Sequence, residues 1–203
     1  MVSRFNGMTK FLLIRHALTD SVGVRLSGRI PGLSLNKEGK KQSIELTQRL
    51  AHFNLDAIYC SPLERAVETA FPIAKWHKLE IFTSDDFIEI DFGIWTNLTI
   101  EELRNDPVFV SFNSFRSKTR IPGGELMDEA QRRIVNGLKK LNIRYPNKTV
   151  AIISHADLIK SAIAYFAGIH LDFMVRIEIS PASVSIIEIY DETARIHLVN
   201  GTG

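Results

Sequence analysis

Three short apolar runs punctuate this chain, at residues 10–14, 57–60 and 149–153. Each is rich in β-branched or aromatic residues and is too short for a typical helix, which predicts a buried strand. The first run leads into His16 and the last leads into His155. Polar residues directly after buried strands are typical of a site rather than of a core.

Apolar residues at helical spacing fill much of the sequence between and after these runs. We predict helices at residues 36–53, 62–77, 125–141 and 157–167, a shorter helix near 99–105, a short strand at 79–82, and a closing hairpin of strands 183–190 and 194–199 at the edge of a sheet. Ile44, Leu46 and Leu50 are the expected apolar positions of the first helix, and Gly168 is the expected end of the fourth. Alternating strands and helices predict an α/β fold, a single-domain three-layer sandwich with a mainly parallel sheet and helices on both faces.

The 203 residues suit one domain, which we expect to span residues 8–203 after an N-terminal extension at 1–7. Residues 96–121 are the least regular part and are predicted to be a lid-like insert. Its phenylalanines either line the lid or pack onto the domain, and the sequence leaves both readings open; they are Phe109, Phe112 and Phe115. Its basic residues are expected to lie on a solvated loop; they are Arg116, Lys118 and Arg120.

Candidate chemistry gathers where the predicted strands end. The carboxyl ends of strands in an open α/β sheet border one crevice, so His16 and His155 are expected to face each other. Ser61 and Glu64 have the spacing of a capping box, with Ser61 as the N-cap, and Arg65 follows in the first turn. A first-turn arginine and a helix N-terminus favour an anion, and phosphate is the anion we expect.

Five short motifs, in order along the chain, carry a resemblance to a known family. They are residues 13–19 (Leu-Ile-Arg-His-Ala-Leu-Thr), 60–70 (Cys-Ser-Pro-Leu-Glu-Arg-Ala-Val-Glu-Thr-Ala), 88–95 (Ile-Glu-Ile-Asp-Phe-Gly-Ile-Trp), 122–125 (Pro-Gly-Gly-Glu) and 153–156 (Ile-Ser-His-Ala). Together they resemble the histidine phosphatase superfamily, also called the phosphoglycerate mutase-like family. The glycine pair of the fourth motif can equally be a turn before a helix.

The resemblance implies a phosphomonoester hydrolase that works through a phosphohistidine on His16. It implies that Arg15 and Arg65 hold the phosphoryl group, that His155 is a phosphate ligand, and that Glu89 is the general acid, with Asp91 as its local rival. The positions expected to bind substrate are Thr19, Ser27, Gly28, Ser154 and Ala156. The substrate is expected to be a small phosphorylated metabolite or a phosphoprotein.

Departures from the family pattern leave two alternatives open. Ala17 and Ala156 stand where glycine is common, and their methyl groups could crowd a backbone that approaches phosphate. They motivate a non-catalytic phospholigand-binding regulatory module as one alternative. Mutase-type phosphoryl transfer is the other, although Val22 lies about where mutase-like members have an asparagine.

Composition narrows the partners. The 25 Lys and Arg against 23 Asp and Glu leave a formal charge of +2, too small to favour nucleic acid. Cys60 is the only cysteine, which favours a reducing compartment, and no apolar run is long enough for a membrane span, so we expect a cytoplasmic protein. No cofactor is expected. A metal on the two histidines with Glu89, Asp91 and Asp157 is disfavoured by the nearby arginines. The oligomeric state stays open, a homodimer included.

Overall fold

Six strands form one sheet in the computed structural model, which describes residues 7–191 and 193–203. They are β1 (Thr9–Arg15), β2 (Ala57–Cys60), β3 (Ile81–Thr83), β4 (Thr149–Ser154), β5 (Val184–Ile189) and β6 (Ala194–Gly201). The order across the sheet is β3-β2-β4-β1-β5-β6. The pairings of β1 with β4, β4 with β2 and β2 with β3 are parallel, whereas β5 pairs antiparallel with β1 and with β6. The expected mainly parallel sheet with a closing hairpin at its edge is confirmed.

Helices cover both faces of this sheet. They are α1 (Lys37–Leu50), α2 (Glu64–His77), α3 (Ile100–Leu103), α4 (Pro107–Ser114), α5 (Met127–Arg144) and α6 (Ala156–Ala167). Alternate residues of β1 enter separate cores, because successive side chains of a strand point to opposite faces. Leu12 packs with Leu46 of α1 on one face, and Leu13 packs with Ile134 of α5 on the other. These two cores make the predicted three layers.

Helix α2 begins later than its sequence suggests, so the predicted capping box is wrong. The helix starts at Glu64, and its N-cap is Leu63, which makes no side-chain cap bond. Ser61 Oγ accepts from the Leu63 N–H at 3.3 Å, ahead of the helix, and also contacts His155 at 2.8 Å, while the Glu64 carboxylate accepts from the Gly32 N–H at 2.9 Å. Both side chains therefore make tertiary contacts that a local motif does not contain.

Other boundaries differ by a few residues, and one face of α1 was assigned wrongly. Leu46 and Leu50 are buried as expected, but Ile44 is 56% exposed because it lies on the solvent side of the helix. The short strand lies at Ile81–Thr83 instead of 79–82. The expected N-terminal extension falls, apart from Gly7, outside the described residues.

The segment at 96–121 contains α3 and a second helix, α4, that the sequence pattern did not predict. Phe109 and Phe112 pack edge-on against Trp95, with ring centroids 5.4 and 5.7 Å away, so these two pack onto the domain. Phe115 is exposed. Arg120 lies on the surface as expected, but Arg116 is only 9% exposed, which corrects its assignment to a solvated loop.

Candidate active site

The two histidines meet where β1 and β4 end side by side. Arg15 of β1 is in register with Ser154 of β4, and the His16 N–H donates to the Ser154 carbonyl at 2.9 Å. This parallel pairing brings the rings of His16 and His155 together, with centroids 5.1 Å apart and planes at 62°. Both side chains are almost completely buried. Parallel pairing of β1 with β4 therefore places the two histidines next to each other, as their positions after the strands suggested.

Hydrogen bonds fix the tautomer of His16. Its Nδ1 lies 2.7 Å from the Ala17 carbonyl oxygen, which can only accept, so Nδ1 carries the proton. The Arg65 Nε–H donates to His16 Nε2 at 3.3 Å, so Nε2 presents a lone pair. Burial, followed by the positive charges of Arg65 and Arg15, lowers the pKa of His16 to about 3. The ring is neutral and its Nε2 is unprotonated, the state that a nucleophile requires.

Arg65 connects the parts of the site. Its Nη2 donates to the Gly28 carbonyl at 2.8 Å and lies 3.3 Å from His155 Nδ1, while its Nε reaches His16. The residue is 1% exposed. A planar guanidinium can hold several acceptors in one geometry, which a lysine ammonium cannot.

His155 has the opposite tautomer to His16. Arginine only donates, so His155 Nδ1 accepts from Arg65 and the ring proton is on Nε2, which donates to Ser61 Oγ at 2.8 Å. Burial, and then the positive charge of Arg65, hold the pKa of His155 well below its ordinary value. Both histidines are thus neutral without an anion. Ser61 was missed as a contributor because its place in the sequence matched a helix cap.

Glu89 lies in the same pocket, and its carboxyl group has a raised pKa. Burial, and then the nearby negative charge of Asp157, raise the pKa of Glu89 to about 7. Its Oε2 lies 3.7 Å from His155 Nδ1. Asp91, the local rival, does not line the pocket and instead accepts from the Gly93 N–H at 2.9 Å. Geometry therefore favours Glu89 as a proton donor.

The fourth motif holds the Glu89 segment in place. The Glu125 carboxylate accepts from the Asp91 N–H and pairs with Arg29 and Arg133, at distances of 2.9 to 3.1 Å. Arg29 Nε in turn donates to the Glu89 carbonyl at 2.9 Å. One carboxylate thus anchors the backbone around Glu89 through two arginines.

Glycine is required where this motif meets the Glu89 segment. A Cβ at Gly124 would collide with the Asp91 carbonyl, and a Cβ at Gly93 would collide with the Pro122 carbonyl. Gly93 also has φ +48°, a left-handed conformation that L side chains rarely adopt. The glycine pair at 123–124 is therefore more than a turn before α5.

The positions expected to bind substrate divide into two groups. Thr19, Ser27 and Ala156 line the pocket. Gly28 and Ser154 do not: Gly28 offers its carbonyl to Arg65, and the Ser154 hydroxyl donates to the Phe87 carbonyl at 2.7 Å inside the core. Neither residue is therefore placed to touch a substrate. Gly28 holds Arg65 through its carbonyl, and the side chain of Ser154 points to the core face of its strand.

Ala17 does not obstruct the pocket. Its side chain is fully buried in the core between the sheet, α1 and α2, and its N–H donates to Thr69 Oγ1 at 3.0 Å. Thr69 Oγ1 donates to the Arg65 carbonyl at 2.7 Å and so ties the segment after His16 to α2. The extra methyl therefore fills a core position and leaves the approach to His16 unchanged.

The pocket itself has a volume of about 150 Å³. Its lining includes residues that the sequence did not nominate as substrate contacts, namely Ser21, Val22, Gly23, Arg25, Leu26, Phe92 and Asp157. Asp157 was considered only as a metal ligand, although its place two residues after His155 could have revealed it. A larger cavity of about 610 Å³ next to Tyr165 and Ala194 contains none of the histidines or arginines described above.

Buried donors without partners mark where an anion fits. Within the described residues, Arg15 Nε, Arg65 Nη1 and Thr19 Oγ1 are buried and have no hydrogen-bond partner. Leaving such groups unpaired is costly, so their convergence in one pocket indicates a ligand rich in acceptor oxygens. Two arginines make that ligand an anion.

Two absences hold for the part of the chain that the structure describes. Residues 7–191 and 193–203 contain no cluster of three or more His, Cys, Asp or Glu side chains arranged to hold a metal ion. The helices in these ranges all lack the combination of length and hydropathy needed to cross a bilayer.

Related proteins share both sequence and fold with this chain. Phosphoserine phosphatase 1 from Hydrogenobacter thermophilus is 32% identical over 200 residues, which cover 96% of this chain and 93% of that protein. The metal-independent phosphoserine phosphatase of Arabidopsis thaliana is 28% identical over 160 residues, covering 76% of this chain and 67% of that protein. The bifunctional protein Rv2228c of Mycobacterium tuberculosis is 35% identical over 202 residues, 96% of this chain but 54% of that protein.

Solved structures agree with these relatives. A phosphoserine phosphatase mutant from Entamoeba histolytica, solved in complex with phosphoserine, superposes with a TM-score of 0.87 at 26% identity over 96% of this chain and 98% of that one. YhfR from Bacillus stearothermophilus superposes with a TM-score of 0.89 at 27% identity, over 95% and 97% of the two chains. The family model of the histidine phosphatase superfamily (branch 1) matches residues 11–202. The chain therefore belongs to the histidine phosphatase superfamily.

Proposed function

We propose that the protein hydrolyses small phosphomonoesters in two steps, through a phosphohistidine on His16. The observation that carries the proposal is the orientation of His16, whose Nδ1–H is bound by the Ala17 carbonyl while Nε2 faces the buried Arg65. A neutral ring whose unprotonated nitrogen lies beside a fixed cation suits attack on phosphorus.

Binding of the phosphoryl group is assigned to the buried unpaired donors. Arg15, Arg65 and Thr19 each have such an atom next to His16. Positioning and charge stabilisation supply most of the catalysis in phosphoryl transfer, and fixed arginines supply both. A bound dianion also raises the pKa of His155 by attraction, so that His155 can donate to a phosphate oxygen.

Glu89 is assigned the proton transfers. In the first step His16 Nε2 forms a bond to phosphorus, the bond between phosphorus and the ester oxygen breaks, and protonated Glu89 gives its proton to the leaving alcohol. In the second step Glu89 takes a proton from water as the water oxygen attacks phosphorus. The bond to Nε2 then breaks, which releases phosphate and returns His16 to its neutral state.

The substrate class follows from the pocket and from the relatives. A volume of about 150 Å³ suits a small metabolite better than a folded phosphoprotein. Two relatives are named phosphoserine phosphatases, and one solved neighbour of that name holds phosphoserine, so phosphoserine is the first substrate to test. Val22 lines the pocket where mutase-like members have an asparagine, so hydrolysis is proposed over mutase transfer. A cytoplasmic location and independence from metals remain part of the proposal.

The test is phosphate release from phosphoserine and a panel of other phosphomonoesters by wild type and His16→Ala, with a chelator present throughout. The intermediate is identified by treating labelled, denatured protein with acid or with base. Label on phosphohistidine survives base but not acid, whereas label on a phosphoserine-type ester survives acid but not base. We expect turnover with chelator, base-stable label in wild type, and neither in His16→Ala. Phosphate binding without turnover on every ester would instead favour the non-catalytic module.

A further inference from the structure

The segment at 96–121 reaches the active site through one buried arginine. Arg116 Nη1 donates to Asp157 Oδ2 at 2.9 Å, and its Nη2 donates to Asn113 Oδ1 at 3.1 Å. Its guanidinium also lies 4.6 Å from the ring centroid of Phe112. These contacts fix Arg116 from three sides and place its charge against Asp157.

Asp157 puts a second carboxylate into the pocket beside Glu89. It lies in the first turn of α6, directly after the segment that carries His155, and its side chain is 22% exposed. Burial alone would raise the pKa of Asp157, but the positive charges of Arg116 and Lys160 outweigh it, so the pKa is lowered and Asp157 is ionised. Its negative charge is the largest contribution from any neighbour to the raised pKa of Glu89.

The charged groups around both carboxylates are known. Those that share the pocket with Glu89 or act on it are His16 and Arg15 at the end of β1, Arg25 in the loop before α1, Arg65 on α2, His155 after β4, and Asp157 on α6. Those that act on Asp157 are Arg116, Lys160 and Arg15. Arg15 and Arg65 favour the ionised form of Glu89, and Asp157 opposes them.

We propose that Asp157 and Arg116 form a positioning pair for the reaction, in which Asp157 keeps the proton on Glu89 and Arg116 holds Asp157 in place and limits its charge. The proposal rests on the proposed function, in which protonated Glu89 serves the leaving alcohol. Without Asp157, burial alone would oppose the two arginines that hold phosphate, and the proton on the acid would be held less tightly. The pair therefore lets strong phosphate binding and a protonated acid coexist in one small pocket.

The two halves of the pair have opposite effects on Glu89, and this makes the proposal testable. Asp157→Asn removes a negative charge, so the midpoint for deprotonation of Glu89 moves down, by about one unit for a neighbouring buried charge. Arg116→Gln leaves the Asp157 charge less compensated, so the midpoint moves up by a smaller amount. A merely structural pair would give losses of stability without opposite shifts.

The measurement is a pH titration of the ¹³C carboxyl signal of Glu89 in the full chain, assigned by its loss in Glu89→Gln. The control is Asp172→Ala, which removes the acceptor of the Ser117 N–H at 2.8 Å and so loosens the same segment without changing the pocket charge. Arg116→Lys keeps the charge and is expected to retain the wild-type midpoint. The basic limb of kcat/KM for β-glycerol phosphate, whose leaving alcohol is uncharged, is expected to follow the same shifts.

Midpoints that stay within 0.2 or so of wild type in Asp157→Asn, or that move in the same direction in both variants, would overturn the proposal. Thermal unfolding of each variant separates such a result from misfolding, and Arg116→Lys provides the folded comparison if Arg116→Gln does not fold. The titration needs no turnover, so its outcome is independent of the His16→Ala test. Activity that survives in His16→Ala would overturn the proposed function itself.

Discussion

Arg65 donates its Nε–H to Nε2 of His16 across 3.3 Å, so the proposed nucleophilic atom already faces the guanidinium that would receive the phosphoryl oxygens. The same guanidinium lies 3.3 Å from His155 Nδ1. One side chain thus keeps both rings oriented and neutral, and an arriving phosphate would take over its donors.

Arg65→Lys tests whether the shape of this cation matters as well as its charge. A lysine cannot serve His16, His155 and Gly28 together, so we expect kcat/KM to fall by about 10²-fold to 10³-fold, in the range seen when a fixed donor to a transition state is removed. Arg132→Lys, at an exposed arginine paired with Asp128, is the matched control and is expected to be silent. Equal activity of wild type and Arg65→Lys would contradict the assignment.

Glu89→Gln tests the proton donor through its dependence on the leaving group. An alkyl alcohol needs a proton as it departs, whereas a nitrophenolate leaves readily without one. We expect the first step to slow by about 10²-fold or more for phosphoserine and by much less for p-nitrophenyl phosphate. Single-turnover kinetics on both esters measure this difference, and equal losses on the two would argue against Glu89 as the acid.

The pH profile of the wild type follows from the same residue. Glu89, with a pKa of about 7, is protonated at lower pH, and His16, with a pKa of about 3, is neutral at higher pH. We therefore expect kcat/KM for an alkyl ester to be high in mildly acidic solution and to fall as the pH rises through about 7. A basic limb that persists unchanged in Glu89→Gln would assign it to another group.

Stability should change in the opposite direction from activity in Glu89→Gln. The folded pKa is raised, so between the ordinary value of 4.5 and about 7 the unfolded state releases a proton that the folded state keeps. The free energy of unfolding of the wild type therefore falls as the pH rises over this interval. Above pH 7 the full loss of stability caused by Glu89 is present. We expect Glu89→Gln to be more stable than wild type at pH 8, by on the order of 2 kcal/mol, and to lose this advantage near pH 4. Urea unfolding at the two pH values measures it, and an equal difference at both would contradict it.

Glu125→Gln tests the support of the Glu89 segment. Losing the charge weakens the pairs with Arg29 and Arg133, which hold the Glu89 and Ile88 carbonyls. We expect kcat to fall by about tenfold with phosphate affinity little changed, since displaced catalytic groups cost rate more than binding. Glu129→Gln, in the first turn of α5, removes an exposed pair with Arg120 and should leave kcat unchanged. Equal kcat values in the two variants would remove the positioning role.

Ala17→Gly tests whether the methyl after His16 obstructs catalysis. The side chain is buried in the core, so we expect kcat/KM to stay within about twofold and the free energy of unfolding to fall by about 1 kcal/mol. Chemical denaturation and steady-state kinetics measure the two. A large gain in activity would mean that the methyl does crowd the phosphate.

Much of this protein is determined locally and could be predicted from its sequence. The strands at 57–60 and 149–153, the helical spacing of Ala130, Ile134 and Leu138, and the end of α6 at Gly168 follow from hydrophobic period and from the left-handed conformation that glycine tolerates. Five ordered motifs also identified the family, because each fixes residue types at fixed spacing.

Tertiary structure decided what each polar side chain does. Ser61 had the local signature of a helix cap but contacts His155, and Arg116 had the signature of a solvated loop but is buried against Asp157. Ser154 and Gly28 were expected to bind substrate, yet neither lines the pocket, and each instead bonds to a residue that helps to form the site or its core. The physical reason is that partners such as these lie tens of residues away in sequence, and only parallel pairing of β1 with β4, and packing of the helices onto that sheet, bring them within hydrogen-bond distance.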